Sequence, residues 1–356
     1  MSTFPHTRVA STMQAQPLLL GHLVRHATTV HNNSEVVTWT GESSRRTSFA
    51  ELGVTAARLA HALTELGIER GDRVGTFMWN NAEHMTAYLA IPSMGAVLHA
   101  WNVRLFAEQL TYVANHGGAS VLIADASLLG LLRPLLGDLT QLRHLIVTGP
   151  VDQETKDAAA QLEGVHSWED LLAGRPERYD WPEDLDENDA AGLCYTSGTT
   201  GNPKGVAYSH RSNYLHSLAA AGTLGISNTD RALVVVPLFH ANAWGLPYTA
   251  LFTGASVLMP DRFLQGDHLA AFSAQEHATY GAGVPTIWTD LLRSLDQGKA
   301  KLPDMRTLLV GGSAAPPALI RGYWERHGID ILHAWGMTET SPLASVAHPP
   351  PGLSRD

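Results

Sequence analysis

The chain has 356 residues, 44% of them hydrophobic, and a formal net charge of −10. That length supports a large buried core and about two domains, and the acidic balance argues against nucleic acid as a main partner, because phosphate-backbone binders carry basic faces. A single cysteine, Cys194, excludes an internal disulfide and suits a reducing cytoplasm.

Residues 1–16 read as a polar, irregular arm, and helical periodicity follows over 18–30. A short strand-like run covers 36–39. Ser48-Phe49-Ala50-Glu51 is a capping box that opens a helix, with Gly67 placed to end it. A strand at 74–78, a helix at 83–93, an apolar run at 96–101 and a helix at 106–116 stopped by Gly117 come next. Strand 121–124, helix 128–136 and strand 145–147 complete a first α/β unit. Between 148 and 189 the order weakens into an acidic segment punctuated by Pro150, Gly174, Pro176 and Pro182, expected to run over the surface.

A second α/β run begins with an apolar strand at 190–194. It continues through helix 209–223, strand 232–236, helix 244–252, strand 256–259, helix 266–277 and strand 280–282. Helix 286–295, strand 308–310, helix 317–326 and strand 331–334 follow. Alternation of this kind predicts mainly parallel sheets covered by helices. The chain is thus expected to divide into a subdomain over 1–189, a second over 190–347, and a linker or truncated edge over 348–356, where three prolines favour extended backbone. No stretch reaches the roughly 18 to 20 apolar residues of a membrane span, and the N-terminus lacks the pattern of a signal peptide. The eighteen histidines are scattered without zinc-motif spacing.

Four segments carry chemistry. The first is 195–206, Tyr-Thr-Ser-Gly-Thr-Thr-Gly-Asn-Pro-Lys-Gly-Val. Its glycines let the backbone turn and approach an anion, its hydroxyls and freed N–H groups can surround phosphate oxygens, and Lys204 supplies a mobile charge. It is not a Walker loop, since Pro203 precedes the lysine where that motif needs glycine. A strand before it and a helix after it suit an anion site at a helix start. The second segment is 334–342, Ala-Trp-Gly-Met-Thr-Glu-Thr-Ser-Pro, in which Glu339 is the best Mg²⁺ ligand of the chain. The third, Gly311-Gly312-Ser313-Ala314-Ala315-Pro316, leaves room for a ring to lie on the backbone and also reads as a strand-to-helix turn. The fourth, Pro237-Leu238-Phe239-His240-Ala241-Asn242-Ala243-Trp244, places a histidine after a buried strand. Nearby apolar character at Val284-Pro285-Thr286-Ile287-Trp288, with no Arg or Lys placed for a second carboxylate, suits an aliphatic tail.

In these segments the chain resembles the adenylate-forming superfamily of acyl-CoA synthetases, luciferases and peptide-synthetase adenylation domains. It matches every fixed position of their Tyr-Thr-(Ser/Thr)-Gly-Thr-Thr-Gly-x-Pro-Lys-Gly signature. The resemblance implies two packed, mainly parallel sheets with flanking helices, and activation of a carboxylate by ATP and Mg²⁺ followed by transfer to coenzyme A. It assigns Ser197, Gly198, Thr199, Thr200, Gly201 and Lys204 to the phosphates and Thr196 with Glu339 to Mg²⁺. Trp335, Gly336, Met337 and Thr338 are assigned to adenine and the α-phosphate, with Trp335 replacing the family's usual tyrosine. Gly311, Gly312, Ser313 and Ala314 are implied to line the adenine pocket and one wall of the acyl site, beside Val284 and Pro285.

By the same resemblance His240 reaches the reacting carboxylate. It stands where amino-acid-activating relatives carry aspartate, which argues against an amino-acid substrate. Trp244 is expected to border an acyl channel and shut it until substrate enters.

Runs at 11–13, 94–99, 242–244 and 283–288 look most like bacterial long-chain fatty-acyl-CoA synthetases, which implies a fatty acid substrate and a homodimer. The family's ribose-binding aspartate motif, hinge and C-terminal lid with its catalytic lysine are not found, so the chain is expected to be the large N-terminal part of such an enzyme, with low activity alone. Two alternatives stay open: an aryl or medium-chain acid:CoA ligase, and a protein that binds acyl-adenylate or nucleotide without turnover.

Overall fold

The computed structural model describes residues 10–196 and 201–350. Among these, fifteen strands form two sheets. In chain order they are β1 Glu35–Trp39, β2 Ser44–Ser48, β3 Arg73–Phe77, β4 Val97–Ala100, β5 Val121–Asp125, β6 His144–Thr148, β7 Gly164–Ser167 and β8 Ala190–Tyr195. They continue as β9 Gly205–Ser209, β10 Arg231–Val234, β11 Ser256–Met259, β12 Tyr280–Gly283, β13 Thr307–Val310, β14 Asp330–Gly336 and β15 Leu343–Ala347. One sheet has the order β7-β6-β5-β3-β4-β8-β9 and the other β15-β14-β13-β12-β10-β11-β1-β2. Both are parallel inside, and antiparallel pairing occurs only at the hairpins β8–β9, β1–β2 and β14–β15.

The sheets do not divide at residue 190. β1 joins β11 in the later sheet, while β8 pairs with β4 and closes the earlier one with β9. The reason is burial on both faces: Val36, Val37, Thr38 and Trp39 of β1 are all buried, and an interior place beside β11 provides that. Periodicity in the sequence reports where a strand is, not which sheet receives it.

One shared core collects inward side chains of both sheets with helices Leu20–Val30, Phe49–Glu65, Ala82–Ser93 and Leu246–Thr253. Helix Ala82–Ser93 is buried at every residue except Glu83, as expected for a helix apolar on all sides between two layers. Helices Gly266–Gln275, Pro285–Asp296 and Pro317–His327 cover the outer face of the later sheet. Helix Ala107–Gly117 and the turns of 126–138 cover the other outer face. The layers therefore run helix, sheet, helix, sheet, helix.

The capping box is present as read: Ser48 Oγ accepts from Glu51 N–H, and the Glu51 carboxylate accepts from Ser48 N–H at 2.8 Å. Four local readings differ. The helix expected at 128–136 breaks into 3₁₀ and α turns, with Pro134 supplying no N–H and Gly130 and Gly137 weakening the rest. The stop after helix Ala107–Gly117 is Gly118, at φ 68°, rather than Gly117. The segment 148–189 contains helix Gln153–Ala158, β7 and helix Trp168–Leu172 before turning irregular. Its remainder is strapped to the body by Arg58–Glu177, Arg25–Glu183, Arg70–Asp184 and Arg211–Glu187. Such exposed pairs contribute about 0–1 kcal/mol each. Finally, β9 intervenes between the first motif and helix His210–Leu224. No helix among the described residues is long and apolar enough to cross a membrane.

Candidate active site

The first motif is the turn of the β8–β9 hairpin. Tyr195 pairs with Gly205, and Thr196 N–H donates to the Lys204 carbonyl at 3.0 Å, so Thr196 and Lys204 face each other at the base of the loop. Ser197, Gly198, Thr199 and Thr200 lie outside the described residues. Gly201 sits at φ 98°, exposed on the loop. The helix start that sequence placed beside this loop is a strand-length away and is capped by Ser209, whose Oγ accepts from Ser212 N–H. Any anion held here would meet a hairpin loop and a lysine, not a helix terminus.

The second motif forms where β14 ends. The β14–β15 register slips between Trp335 and Gly336, and a 3₁₀ turn at Thr338–Thr340 reverses the chain. A Cβ on Gly336 would lie 2.1 Å from the Pro342 carbonyl oxygen, so only glycine fits. Thr340 Oγ1 braces the turn by accepting from Met337 N–H at 3.0 Å. Tyr208 on β9 donates its hydroxyl to the Thr338 carbonyl at 2.7 Å, which ties the second motif to the hairpin that carries the first. Burial pushes that phenol well above its usual pKa and keeps it a donor.

The histidine segment leaves β10 under close control. Asn80 Nδ2 donates to the carbonyls of Val234 and Val236, and its Oδ1 accepts from Leu238 N–H at 2.9 Å. After His240 the backbone takes an unusual path: Ala241, Asn242, Ala243 and Trp244 all have φ between 46° and 56°, and Gly245 follows at 71°. Each non-glycine residue in this left-handed region costs about 1–2 kcal/mol, so the turn persists only because its surroundings hold it. The regular helix accordingly starts at Leu246, two residues later than the sequence suggests. Gly245 is required by contact as well, since a Cβ there would lie 2.3 Å from the His216 ring. The Trp244 ring lies against the third motif: a Cβ on Gly311 would fall 2.9 Å from its Cη2. The indole thus occupies the bare backbone that sequence reasoning reserved for a ring.

These segments enclose a cavity of about 480 Å³. Of the candidate residues it brings together Thr196, Lys204, His240, Trp244, Gly311, Gly312, Trp335, Gly336, Met337, Thr338 and Glu339. Five other described candidates do not line it, Gly201 on the hairpin loop among them. Ser313 and Ala314 are exposed on the loop beyond Gly312, while Val284 and Pro285 stand behind, with Val284 Cγ1 3.3 Å from where a Gly312 Cβ would be. Leu224, Leu309 and Leu343 also line the cavity and were missed, because their only sequence signal is apolarity.

Lys204 is the one lysine or arginine on the cavity wall among the described residues. The cavity walls and the positive charge of Arg104 hold the His240 pKa below its usual value, so its ring is neutral at pH 7. No group of three or more His, Cys, Asp or Glu among the described residues could hold a metal unaided. The Thr196 hydroxyl and the Glu339 carboxylate nevertheless border the same cavity. They are hard oxygen donors of the kind Mg²⁺ takes in ones and twos beside substrate phosphates, so the donor set fits that ion.

The fold and these residues define an α/β protein with a cavity at the carboxyl ends of its strands, bordered by Thr196 and Lys204 of the hairpin. The chain belongs to the AMP-binding enzyme family, which matches residues 24–355. It is 41% identical over 340 residues to a 3-methylmercaptopropionyl-CoA ligase of Ruegeria lacuscaerulensis, covering 95% of this chain and 62% of the relative. It is 40% identical to a medium-chain-fatty-acid–CoA ligase of Ectopseudomonas oleovorans, with 95% and 62% covered. A long-chain-fatty-acid–CoA ligase of Thermus thermophilus is also 40% identical, with 96% and 60% covered. The chain therefore spans about three fifths of the length of these relatives. Among solved structures, an anthranilate CoA ligase in complex with anthranoyl-AMP superposes with a TM-score of 0.85 at 26% identity, covering 96% of this chain and 64% of that one.

Proposed function

We propose that this chain carries the carboxylate-activating site of an AMP-forming acid:CoA ligase with an aliphatic acyl substrate. The observation that carries the reading is the convergence of Lys204, of His240 with Trp244, and of Glu339, from three segments of the chain, on one cavity. A carboxylate is a poor electrophile because it would have to expel oxide. Its oxygen attacks the α-phosphorus of ATP, a new oxygen–phosphorus bond forms, and the bond to pyrophosphate breaks. The carboxylate oxygen then leaves with AMP when a coenzyme A thiolate attacks the acyl carbon.

The protein's contribution is alignment and charge neutralisation along an in-line path. Lys204 and the hairpin loop, Ser197 to Gly201, receive the β- and γ-phosphates. Mg²⁺, held by Thr196 and Glu339, would supply charge neutralisation on the phosphates. Trp335, Gly336, Met337 and Thr338 face the adenine and α-phosphate. Neutral His240 orients the carboxylate, and Trp244 with the apolar wall meets the tail. Names of the relatives support aliphatic acids, from methylmercaptopropionate to long chains, without choosing among them. Each added methylene contributes only about 0.8 kcal/mol of burial, too little for the wall composition to set a length.

The test is thermal stabilisation of the 356-residue chain by AMP, by a non-hydrolysable dodecanoyl-adenylate analogue and by an aryl-adenylate analogue. A ligand at a hundredfold excess over Kd adds about 2.7 kcal/mol of stability. The dodecanoyl analogue is expected to give the largest shift, reduced in Lys204→Ala. An aryl preference would replace the aliphatic reading, and no shift with any of the three would overturn the site itself.

A further inference from the structure

We infer that Asn242 is a positioning residue, whose side chain locks the left-handed turn carrying His240 and Trp244 to the strand that feeds the phosphate hairpin. The inference rests on the reading of the cavity as an acyl-adenylate site. Asn242 lies midway between those two cavity residues and is only 2% exposed. Its Oδ1 accepts from Cys194 Sγ at 3.1 Å and from the Tyr88 hydroxyl at 3.2 Å. Cys194 is two positions before Thr196 on β8, and Tyr88 belongs to the buried helix Ala82–Ser93. The Tyr88 hydroxyl shares its one proton between that oxygen and the Leu238 carbonyl, on the approach to His240.

One amide oxygen thus joins a strand of the earlier sheet to a loop of the later one. The backbone at 242 has φ 51°, a conformation asparagine adopts more readily than most residues. Space is tight as well, because Asn242 Nδ2 is 3.4 Å from where a Gly192 Cβ would stand.

A ligand that touches only the nucleotide half of the cavity does not sense the distance between these two segments. A ligand that spans them does. That contrast separates positioning from bulk stability.

Calorimetric titration of the wild-type chain, Asn242→Gly and Cys194→Ala with AMP and with the dodecanoyl-adenylate analogue tests the inference. Glycine keeps the left-handed backbone without strain and removes only the tether. The expected result is an AMP Kd that changes less than about twofold and an analogue Kd that rises about ten- to a hundredfold in Asn242→Gly, as for loss of two buried hydrogen bonds, with a smaller rise of the same kind in Cys194→Ala. Equal losses for both ligands, or none, would overturn the inference. If Asn242→Gly does not fold, Tyr88→Phe, which deletes the second donor, carries the same comparison with Cys194→Ala. Wild-type protein that binds the analogue no more tightly than AMP would instead overturn the acyl-adenylate reading, and the inference with it.

Discussion

Gly336→Ala adds one methyl group at the point where β14 gives way to the Thr338–Glu339 turn. That methyl would stand 2.1 Å from the Pro342 carbonyl oxygen and 3.0 Å from its carbon. Alanine has no side-chain rotamer with which to escape, so the strands must separate. The same oxygen accepts the Met337 N–H at 3.1 Å and the Thr340 hydroxyl. Separation breaks both of those bonds, at a net cost of about 1–3 kcal/mol together. The turn they brace carries Thr338 and Glu339 into the cavity, so the cost appears in nucleotide binding, as a roughly 5- to 150-fold weaker Kd for AMP at 1.4 kcal/mol per factor of ten. In a chain of this length the melting temperature falls by only a few degrees, about 2–4 °C per kcal/mol or less. Calorimetric titration with AMP beside a thermal melt separates the two readouts. AMP affinity in Gly336→Ala within twofold of wild type would show that this turn is not part of the nucleotide site, and would refute the argument.

Two further perturbations act on named contacts. Tyr208→Phe deletes the 2.7 Å hydroxyl bond to the Thr338 carbonyl and is expected to lower stability in urea by about 1–2 kcal/mol. It is also expected to weaken AMP binding; a stability loss with unchanged AMP affinity would mean the tie is structural only. Asp261 is held at φ 53° opposite Asp125, with the Asn81 amide between them, and burial followed by the Asp125 charge pushes its pKa up to about 6 from 3.8. Its folded pKa is raised, so the folded state binds more protons than the unfolded one between those values. Stability is undiminished below about pH 4 and falls as pH rises through 6, by at most about 3 kcal/mol. The substitution Asp261→Asn puts an uncharged amide in place of the carboxylate, so the variant should be more stable than wild type at pH 8 and indistinguishable from it at pH 4. Parallel pH slopes of unfolding free energy for the two proteins would contradict this.

Much of the fold was legible because its strands and helices alternate in period as well as in space. The capping box at Ser48 and Glu51 and the interior strands, β11 among them, stand where their residues indicate. What escaped were features set by partners far along the chain. β2 carries charged and hydroxyl residues with no apolar alternation and β9 only the short alternation of Val206 and Tyr208, and they form because a neighbouring strand offers a ladder at a sheet edge. The left-handed turn at 241–244 is invisible in Ala-Asn-Ala-Trp, which would otherwise favour helix. It depends on Asn80, Tyr88 and His216, contributed by other elements. The candidate site drew attention for a different reason: its residues cluster in short motifs whose chemistry is explicit, and these motifs border one cavity. The apolar half of the cavity did not, since Leu224 and Leu343 announce nothing that a core leucine does not.

The irregularities are not spread evenly over the molecule. The bulge at Trp335–Gly336, the left-handed turn after His240 and the hairpin closed by Thr196 and Lys204 all lie at strand ends that border one cavity. In these three places local preference is broken, and the compensating bonds come from outside each segment. Those bonds also cross between the sheets. Tyr208 of β9 holds Thr338 after β14, Cys194 of β8 holds Asn242 after β10, and β8 and β9 belong to one sheet while β10 and β14 belong to the other. The distance from Lys204 to Glu339 is therefore fixed by how two separately built sheets seat against their shared helices. A substitution in that middle layer, such as Tyr88→Phe, reaches the cavity through two hydrogen bonds without touching any group in it.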